Sequence, residues 1–257
     1  MIKLLHGDCR KFMFDGTIEP DSIDLTVTSP PYDNLRTYNN SSSWDSSVFT
    51  DIAAGLWRVT KPGGVVVWVV GDATVKGCET GTSFKQALFF KDCGFNLHDT
   101  MIYEKSAMPN KHNRYGQDFE YMFILSKGSP KTFNPIMVDC TYAGVGTYPT
   151  SRNKDGLLEG KGRRIICEKK KKSNIWRFSA GLNKSTKDSI AHKHPAIFPE
   201  MLANDHIISW SNEGDTVFDT FLGSGTTGKM AKQLNRKFIG IEIDAAYFKI
   251  ASERIGV

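Results

Sequence analysis

Metal-ligating cysteine pairs, long apolar runs and a leader are all missing from this chain, and each absence removes a class of protein. The five cysteines, Cys9, Cys78, Cys93, Cys140 and Cys167, never fall in C-x-x-C spacing, so neither a zinc site nor a disulfide framework is indicated and no metal is called for. No stretch of about 18 apolar residues appears, which removes a membrane-spanning helix and with it a membrane partner. The N-terminus lacks the basic-then-apolar pattern of a secretory leader. A soluble, intracellular, cytoplasmic protein is therefore expected. At 257 residues the chain is long enough to bury a large core.

What is present is an alternation of helix-like and strand-like segments. Residues 48–59 have helical periodicity and stop before Lys61-Pro62-Gly63-Gly64; residues 65–70 form a buried, valine-rich strand. Residues 83–93 again read as helix, and 97–103 and 120–125 as strands. This alternation predicts an α/β fold, a doubly wound parallel sheet covered on both faces, in a single domain spanning 1–257. Residues 105–118, with Pro109, Asn110, His112 and Asn113, fit a surface loop near the C-terminal strand edges.

Residues 29–32 read Ser29-Pro30-Pro31-Tyr32 and close the apolar run 23–28, whose alternation is that of a buried strand end. The two prolines fix φ and donate no N–H, so the carbonyls of Ser29 and Pro30 become rigid acceptors outside a hydrogen-bond ladder. With a hydroxyl at Ser29 and a flat ring at Tyr32, the loop suits a planar ring that stacks on Tyr32 and donates from an exocyclic NH₂. By itself the tetrapeptide also fits an ordinary strand-to-loop turn.

A second motif lies near the other end of the chain. Residues 215–219 read as a short strand, 220–227 as a turn carrying Gly223 and Gly225, and 228–234 as a helix. The glycines allow positive φ and close ligand approach, and a helix start directs unpaired N–H groups at whatever sits there. The next strand, 238–242, ends in Glu242. An acidic residue roughly 20 positions after the glycine turn is how doubly wound folds hold a ribose, and a nucleoside cofactor is implied. Gly223, four residues and Gly228-Lys229 also match most of a phosphate-cradling loop, although Met230 stands where such loops need a hydroxyl on Mg²⁺. A nucleotide triphosphatase is thus the alternative from another class.

Together the two motifs resemble those of the S-adenosylmethionine-dependent, amino-directed DNA methyltransferases, which methylate cytosine N4 or adenine N6. Ser29 to Tyr32 match the family's Ser/Asp/Asn-Pro-Pro-aromatic motif, and Asp219, Phe221, Gly223, Gly225 and Thr226 match its Asp-x-Phe-x-Gly-x-Gly-Thr motif. The run from His194 to Glu200 resembles the family motif that precedes the cofactor strand, and Gly7-Asp8 its N-terminal Gly-Asp. The amine motif comes first, the order of the circularly permuted branch often called the beta class.

The resemblance implies a Rossmann-like methyltransferase sheet in which the N-terminal strand, 2–5, lies beside the strand ending at Glu242. It implies S-adenosyl-L-methionine as cofactor, bound by Asp8, Pro195, Phe198, Asp219, Phe221, Gly223, Gly225, Thr226 and Glu242, and Ser29, Pro30, Pro31 and Tyr32 as catalytic residues. Asp8 also fits the N-cap of a helix at 9–14. Tyr115 and Glu120 resemble family residues beside the target pocket. No cysteine follows a proline, so the covalent chemistry of cytosine carbon-5 methyltransferases is not expected. Serine at position 29 resembles the cytosine-N4 group more than the adenine-N6 group; cytosine N4 is favoured and adenine N6 is the alternative. Double-stranded DNA is the implied partner, with a homodimer and a cognate restriction endonuclease as further expectations.

Charge is unevenly spread. The formal net charge is +5, yet residues 152–194 carry 13 Lys or Arg against 4 Asp or Glu, so the remainder is acidic. Arg163, Arg164, Lys169, Lys170, Lys171 and Lys172 concentrate this charge, with Trp176 close behind, and predict a loop-rich segment on a phosphate backbone. In the permuted branch this interval holds target recognition, placed here at about 139–193.

Overall fold

Every residue from 65 to 70 is buried, which a strand tolerates when both faces of its sheet are covered. The computed structural model describes residues 1–31, 44–105, 113–179, 181 and 184–257. Its main sheet has eight strands: β1 (Ile2–His6), β2 (Ile23–Thr28), β3 (Thr60–Val70), β4 (Asn96–Glu104), β5 (Phe119–Ser126), β6 (Ile175–Arg177), β7 (Thr216–Asp219) and β8 (Lys237–Glu242). They lie in the order β1-β8-β7-β2-β3-β5-β4-β6. As the sequence implies, β1 pairs in parallel with β8, with Ile2 opposite Phe238 and His6 opposite Glu242.

A wholly parallel sheet was expected, but β5 runs antiparallel to both β3 and β4. A parallel return needs a crossover, usually a helix. The sequence between β4 and β5 offers no such helix, having no helical period. Helices α1 (Cys9–Phe14), α2 (Ser46–Val59), α3 (Thr82–Asp92), α4 (Glu200–Trp210), α5 (Thr226–Gln233) and α6 (Ala245–Ile255) complete the doubly wound layers. Three start at aspartate caps: Asp8 accepts from Arg10 N–H, Asp45 from Ser47 and Val48 N–H, and Asp244 from Ala246 and Tyr247 N–H.

On one face Met13 of α1, Ile52 and Leu56 of α2 and Phe90 of α3 meet Trp68, Phe218 and Ile241 from the strands in one core. Trp68 sits 5.1 Å edge-on to Phe90, and its Nε1–H donates to Gln86 Oε1 at 2.9 Å, so the largest core side chain leaves no polar group unsatisfied. Trp176, expected beside phosphates, is instead buried on β6, 4.6 Å from the His206 ring. An indole carries too much apolar area to leave in water where a sheet edge can cover it.

Residues 135–173 form a separate compact unit. Three short antiparallel ladders nest within it, Met137–Asp139 with Lys169–Lys171, Gly146–Thr147 with Arg164–Ile165, and Thr150–Arg152 with Leu158–Gly160. The unit is one long, interrupted β-hairpin. Its tip is closed by Asn153, whose Oδ1 accepts from Asp155 and Leu157 N–H at 3.0 Å each. The lysine run was expected in a loop; most of it is a strand, because its pairing partner at 137–139 lies far off in sequence and leaves no local mark.

On the other face α5 approaches β8 closely at a glycine. A Cβ on Gly228 would lie 2.5 Å from Ile255 Cδ1 and 2.6 Å from Phe238 Cε1, both of them buried side chains. Gly228→Ala is therefore expected to destabilise the fold by about 1–2 kcal/mol, overpacking winning over the gain in helix propensity. Urea unfolding checks this, and an unchanged midpoint would mean that the helix shifts without cost.

Candidate active site

From β7 the chain passes through α5 to β8, toward the β1 edge of the sheet, whereas from β2 it passes through α2 to β3 on the opposite side. The carboxyl ends of β7 and β2 therefore flank the switch point of the sheet, where open α/β sheets leave a crevice for ligands. The two sequence motifs follow these two strand ends. Their adjacency is fixed by a side-chain bond: Thr28 Oγ1, the last residue of β2, donates to Asp219 Oδ1 at 2.7 Å and lies 3.1 Å from Thr220 Oγ1.

Asp219 is buried and is held further by Phe221 N–H at 3.1 Å. The turn beyond it is tied to the next strand. Leu222 N–H donates to the Ile241 carbonyl at 2.9 Å, and Gly223 N–H to Glu242 Oε2 at 2.7 Å. The other Glu242 oxygen, Oε1, accepts from Asp244 N–H at 2.9 Å. A backbone bond from Ile243 adds to these two, and a carboxylate has about four acceptor positions. The remaining capacity suits a vicinal diol such as ribose. Burial raises the Glu242 carboxyl above its ordinary range, and the N–H bonds from Asp244 and Gly223 pull against it.

The glycines are required by space as well as by φ. Gly223 has φ +52°, and a Cβ there would sit 3.1 Å from His194 Nε2; Gly225 has φ +81°, with Ala251 Cα at 3.1 Å. The turn is thus a backbone cradle, with α5 starting at Thr226 rather than Gly228, so its first N–H groups face the turn. His194 lies under this cradle, its ring 4.4 Å from Tyr247. Pro195 is exposed and Phe198 half-buried just before α4. Phe221 packs edge-on to Trp44 at 5.5 Å and lies 6.2 Å from Trp68.

Ser29 and Pro31 are half-buried and Pro30 is buried, directly after β2; Tyr32 lies outside the described residues, as do Pro109, Asn110 and His112. Asp8 caps α1 and grips Arg10, whose Nη2 donates to Oδ2 at 2.7 Å. The chain ends still meet here, since Gly7 N–H donates to the Glu242 carbonyl at 2.8 Å. Tyr115 is fully exposed, and Glu120 pairs with Lys105. In the hairpin unit Arg163, Arg164 and Lys169–Lys171 are exposed and Lys172 half-buried. Lys229, the phosphate lysine of the triphosphatase alternative, is bound to Asp188 at 2.7 Å and Glu200 at 2.8 Å, and Met230 is buried. Sequence reasoning missed Thr28, although it directly precedes the Ser-Pro-Pro-Tyr run, and it missed Thr227, whose side-chain bond also reaches Asp219.

A family model described as DNA methylase, of the N6/N4 class, matches residues 23–253. The orphan methyltransferase M.BamHII of Bacillus amyloliquefaciens is 55% identical over 248 residues, 91% of this chain and 89% of its own length. Among solved structures, the M1.HpyAVI–SAM complex aligns over 100% of both chains with a TM-score of 0.65 at 25% identity. The cytosine-N4-specific PvuII DNA methyltransferase aligns over 98% of this chain and 86% of its own with a TM-score of 0.71; at 20% identity that likeness concerns the fold.

Burial raises the Asp219 carboxyl to about 6, with the bonds from Thr28, Thr227 and Phe221 N–H offsetting only part of it. An unfolded aspartate titrates near 3.9. A carboxyl that holds its proton more tightly when folded takes stability away as pH rises from about 4 to 6. Asp219→Asn lacks this titration and is expected to lose less stability over that interval than the parent chain, by on the order of 1–3 kcal/mol in urea unfolding. Equal pH slopes for the two proteins would mean that Asp219 titrates at its ordinary value.

Proposed function

Since the chain belongs to the N6/N4 DNA methylase family and is an S-adenosylmethionine-dependent DNA methyltransferase, we propose that its target is cytosine N4 and that the residues at the sheet's switch point carry the reaction. The residue that favours cytosine is Ser29 at the head of the motif, and the observation that best supports the switch point as the reaction site is the bond from Thr28 to Asp219, which sets the start of the Ser-Pro-Pro-Tyr run beside the glycine turn. A base amine and a methyl donor must meet at one point, and these two loops leave adjacent strands. The pairing of β1 with β8 supports the circularly permuted arrangement, since it makes the two chain ends neighbours.

Glu242 holds the cofactor's ribose hydroxyls, and Gly223, Gly225 and Thr226 let the backbone of the turn approach the cofactor closely, with Asp219 and Phe221 supporting the turn. Asp8, Pro195 and Phe198 complete the proposed cofactor set. S-adenosylmethionine supplies a sulfonium methyl, an already activated donor. The target cytosine is flipped from the duplex and stacked on Tyr32, a role assigned from the motif. The Ser29 hydroxyl and Pro30 carbonyl accept from its NH₂. An aromatic amine is a weak nucleophile because its lone pair is delocalised, and these bonds turn that lone pair toward the donor while Pro31 keeps the loop rigid. The nitrogen's surplus proton leaves through the Ser29 side to water.

Recognition of DNA falls to about residues 139–193. Of these, the part through Ser173 is the β-hairpin and the rest runs in the main unit. The hairpin unit carries nine Lys or Arg against four Asp or Glu, and a two-stranded ribbon fits the major groove. Adenine N6 remains the second reading, because adenine also presents an NH₂ beside a ring nitrogen. The orphan name of the 55%-identical relative supports an enzyme that acts without a dedicated endonuclease. A homodimer stays an expectation of the family resemblance.

Mass spectrometry of nucleosides from DNA treated with the purified enzyme is expected to show N4-methylcytosine; N6-methyladenine in its place would transfer the assignment to adenine. Tyr32→Ala is expected to lower turnover with S-adenosylmethionine affinity within about twofold, the loss of a stacking face costing roughly 1–3 kcal/mol. Loss of cofactor binding in that folded variant would remove the tetrapeptide from the base site. Neutralising Lys169–Lys172 is expected to weaken binding on all DNA sequences alike and to flatten its salt dependence, because phosphate contacts carry no base information. A changed site preference at constant salt slope would instead make these lysines base readers.

A further inference from the structure

The glycine turn is anchored from two directions, and only the bond to Glu242 belongs to the motifs described so far. Gly225 stands at the N-cap of α5 and has no side chain to close the helix start. The second anchor comes from the last turn of the last helix. Arg254, whose side chain is 1% exposed, donates from Nη1 to the Ser224 carbonyl at 2.6 Å, to Ser224 Oγ at 3.1 Å and to Thr226 Oγ1 at 3.3 Å. From Nη2 it reaches Glu200 Oε1 at 2.8 Å and Thr186 Oγ1 at 3.4 Å, and from Nε it reaches Asp188 Oδ2 at 3.2 Å.

We infer that Arg254 is a positioning residue for the cofactor turn, a role that rests on the cofactor site proposed above. One planar guanidinium clamps residues 224–226 to the segment from Thr186 to Glu200, which itself carries His194, Pro195 and Phe198. Several fixed donors in a rigid fork are what distinguish arginine from lysine here. Lys229 gives the contrast within the same cluster: it shares Asp188 and Glu200 with Arg254, and its ammonium donates to those two carboxylates. It neutralises the cluster without holding the turn. A crevice of about 490 Å³ bounded by Lys187, Asp188, Lys229, Glu253 and Arg254 opens beside this network. Its charges are largely mutually paired, so it reads as the outer side of the clamp.

The test compares Arg254→Met, Arg254→Lys and Lys229→Met with the parent enzyme, by calorimetric titration with S-adenosylmethionine and by steady-state and single-turnover methylation. Arg254→Met is expected to raise the cofactor Kd and KM by about tenfold while the DNA KM and the saturated single-turnover rate stay within about twofold. Lys229→Met is expected to stay within about threefold in cofactor Kd, because a lysine ammonium here pairs without shaping the turn. A merely structural arginine would lower the melting temperature without splitting KM from kcat. Unchanged cofactor affinity in folded Arg254→Met, or an equal loss in Lys229→Met, overturns the role of Arg254. Should the methionine variant fail to fold, Arg254→Lys decides: about fivefold weaker cofactor binding supports the clamp, and parental binding overturns it. Failure of the parent enzyme to bind S-adenosylmethionine would sink the cofactor site itself, a result distinct from either.

Discussion

The bond between Thr28 and Asp219 is the constraint on which the site depends. It closes a gap of 191 residues in sequence and joins the carboxyl ends of two adjacent strands. Burial of a carboxylate is costly unless donors surround it. Thr28, Thr227 and the Phe221 N–H supply them, and the carboxyl still sits well above its ordinary pKa. A fold that tolerates this cost gains a fixed distance between two loops. In a transferase that distance governs the approach of acceptor to donor, which sub-ångström misplacement degrades.

Around this point charges are arranged by function and by depth. Two buried carboxylates, Asp219 and Glu242, accept from backbone N–H groups of the turn, and the Glu242 charge adds to the proton affinity of Asp219. Behind the turn, Asp188 and Glu200 meet Lys229 and Arg254 as mutually paired charges, where arginine's fork also ties down backbone oxygen. The surplus positive charge of the chain is kept apart in the hairpin unit at 135–173. The buried carboxylates of the motif turn and the excess of lysine and arginine thereby belong to different stretches of the chain.

Much of the architecture is legible locally. Val65–Val70 announce a strand covered on both faces, and Asp8 announces a helix start, because apolar periodicity and capping act over a few residues. For Asp8 the sequence left cap and cofactor contact both open, and the cap is what its carboxylate makes. The Gly223–Gly225 turn is likewise a local device, required by positive φ and by the His194 ring beneath it. Properties set by distant partners were not legible. The reversed direction of β5, the burial of Trp176 and the strand at Lys169–Lys171 each depend on a neighbour that no local pattern names.

Read alone, the sequence yields most element types of the main sheet, the two motif loops and the class of cofactor that fits them, because turn geometry, hydrophobic period and functional-group inventory are properties of short segments. It took the folded chain to show that those loops leave neighbouring strands at a switch point, that Thr28 supplies the hydroxyl joining them, and that Arg254 at the end of α6 bonds the turn from behind. These facts arise from packing. A single arginine in a final helical turn has no local signature, and its role exists only once the sheet has brought Ser224, Asp188 and Glu200 within reach of one guanidinium.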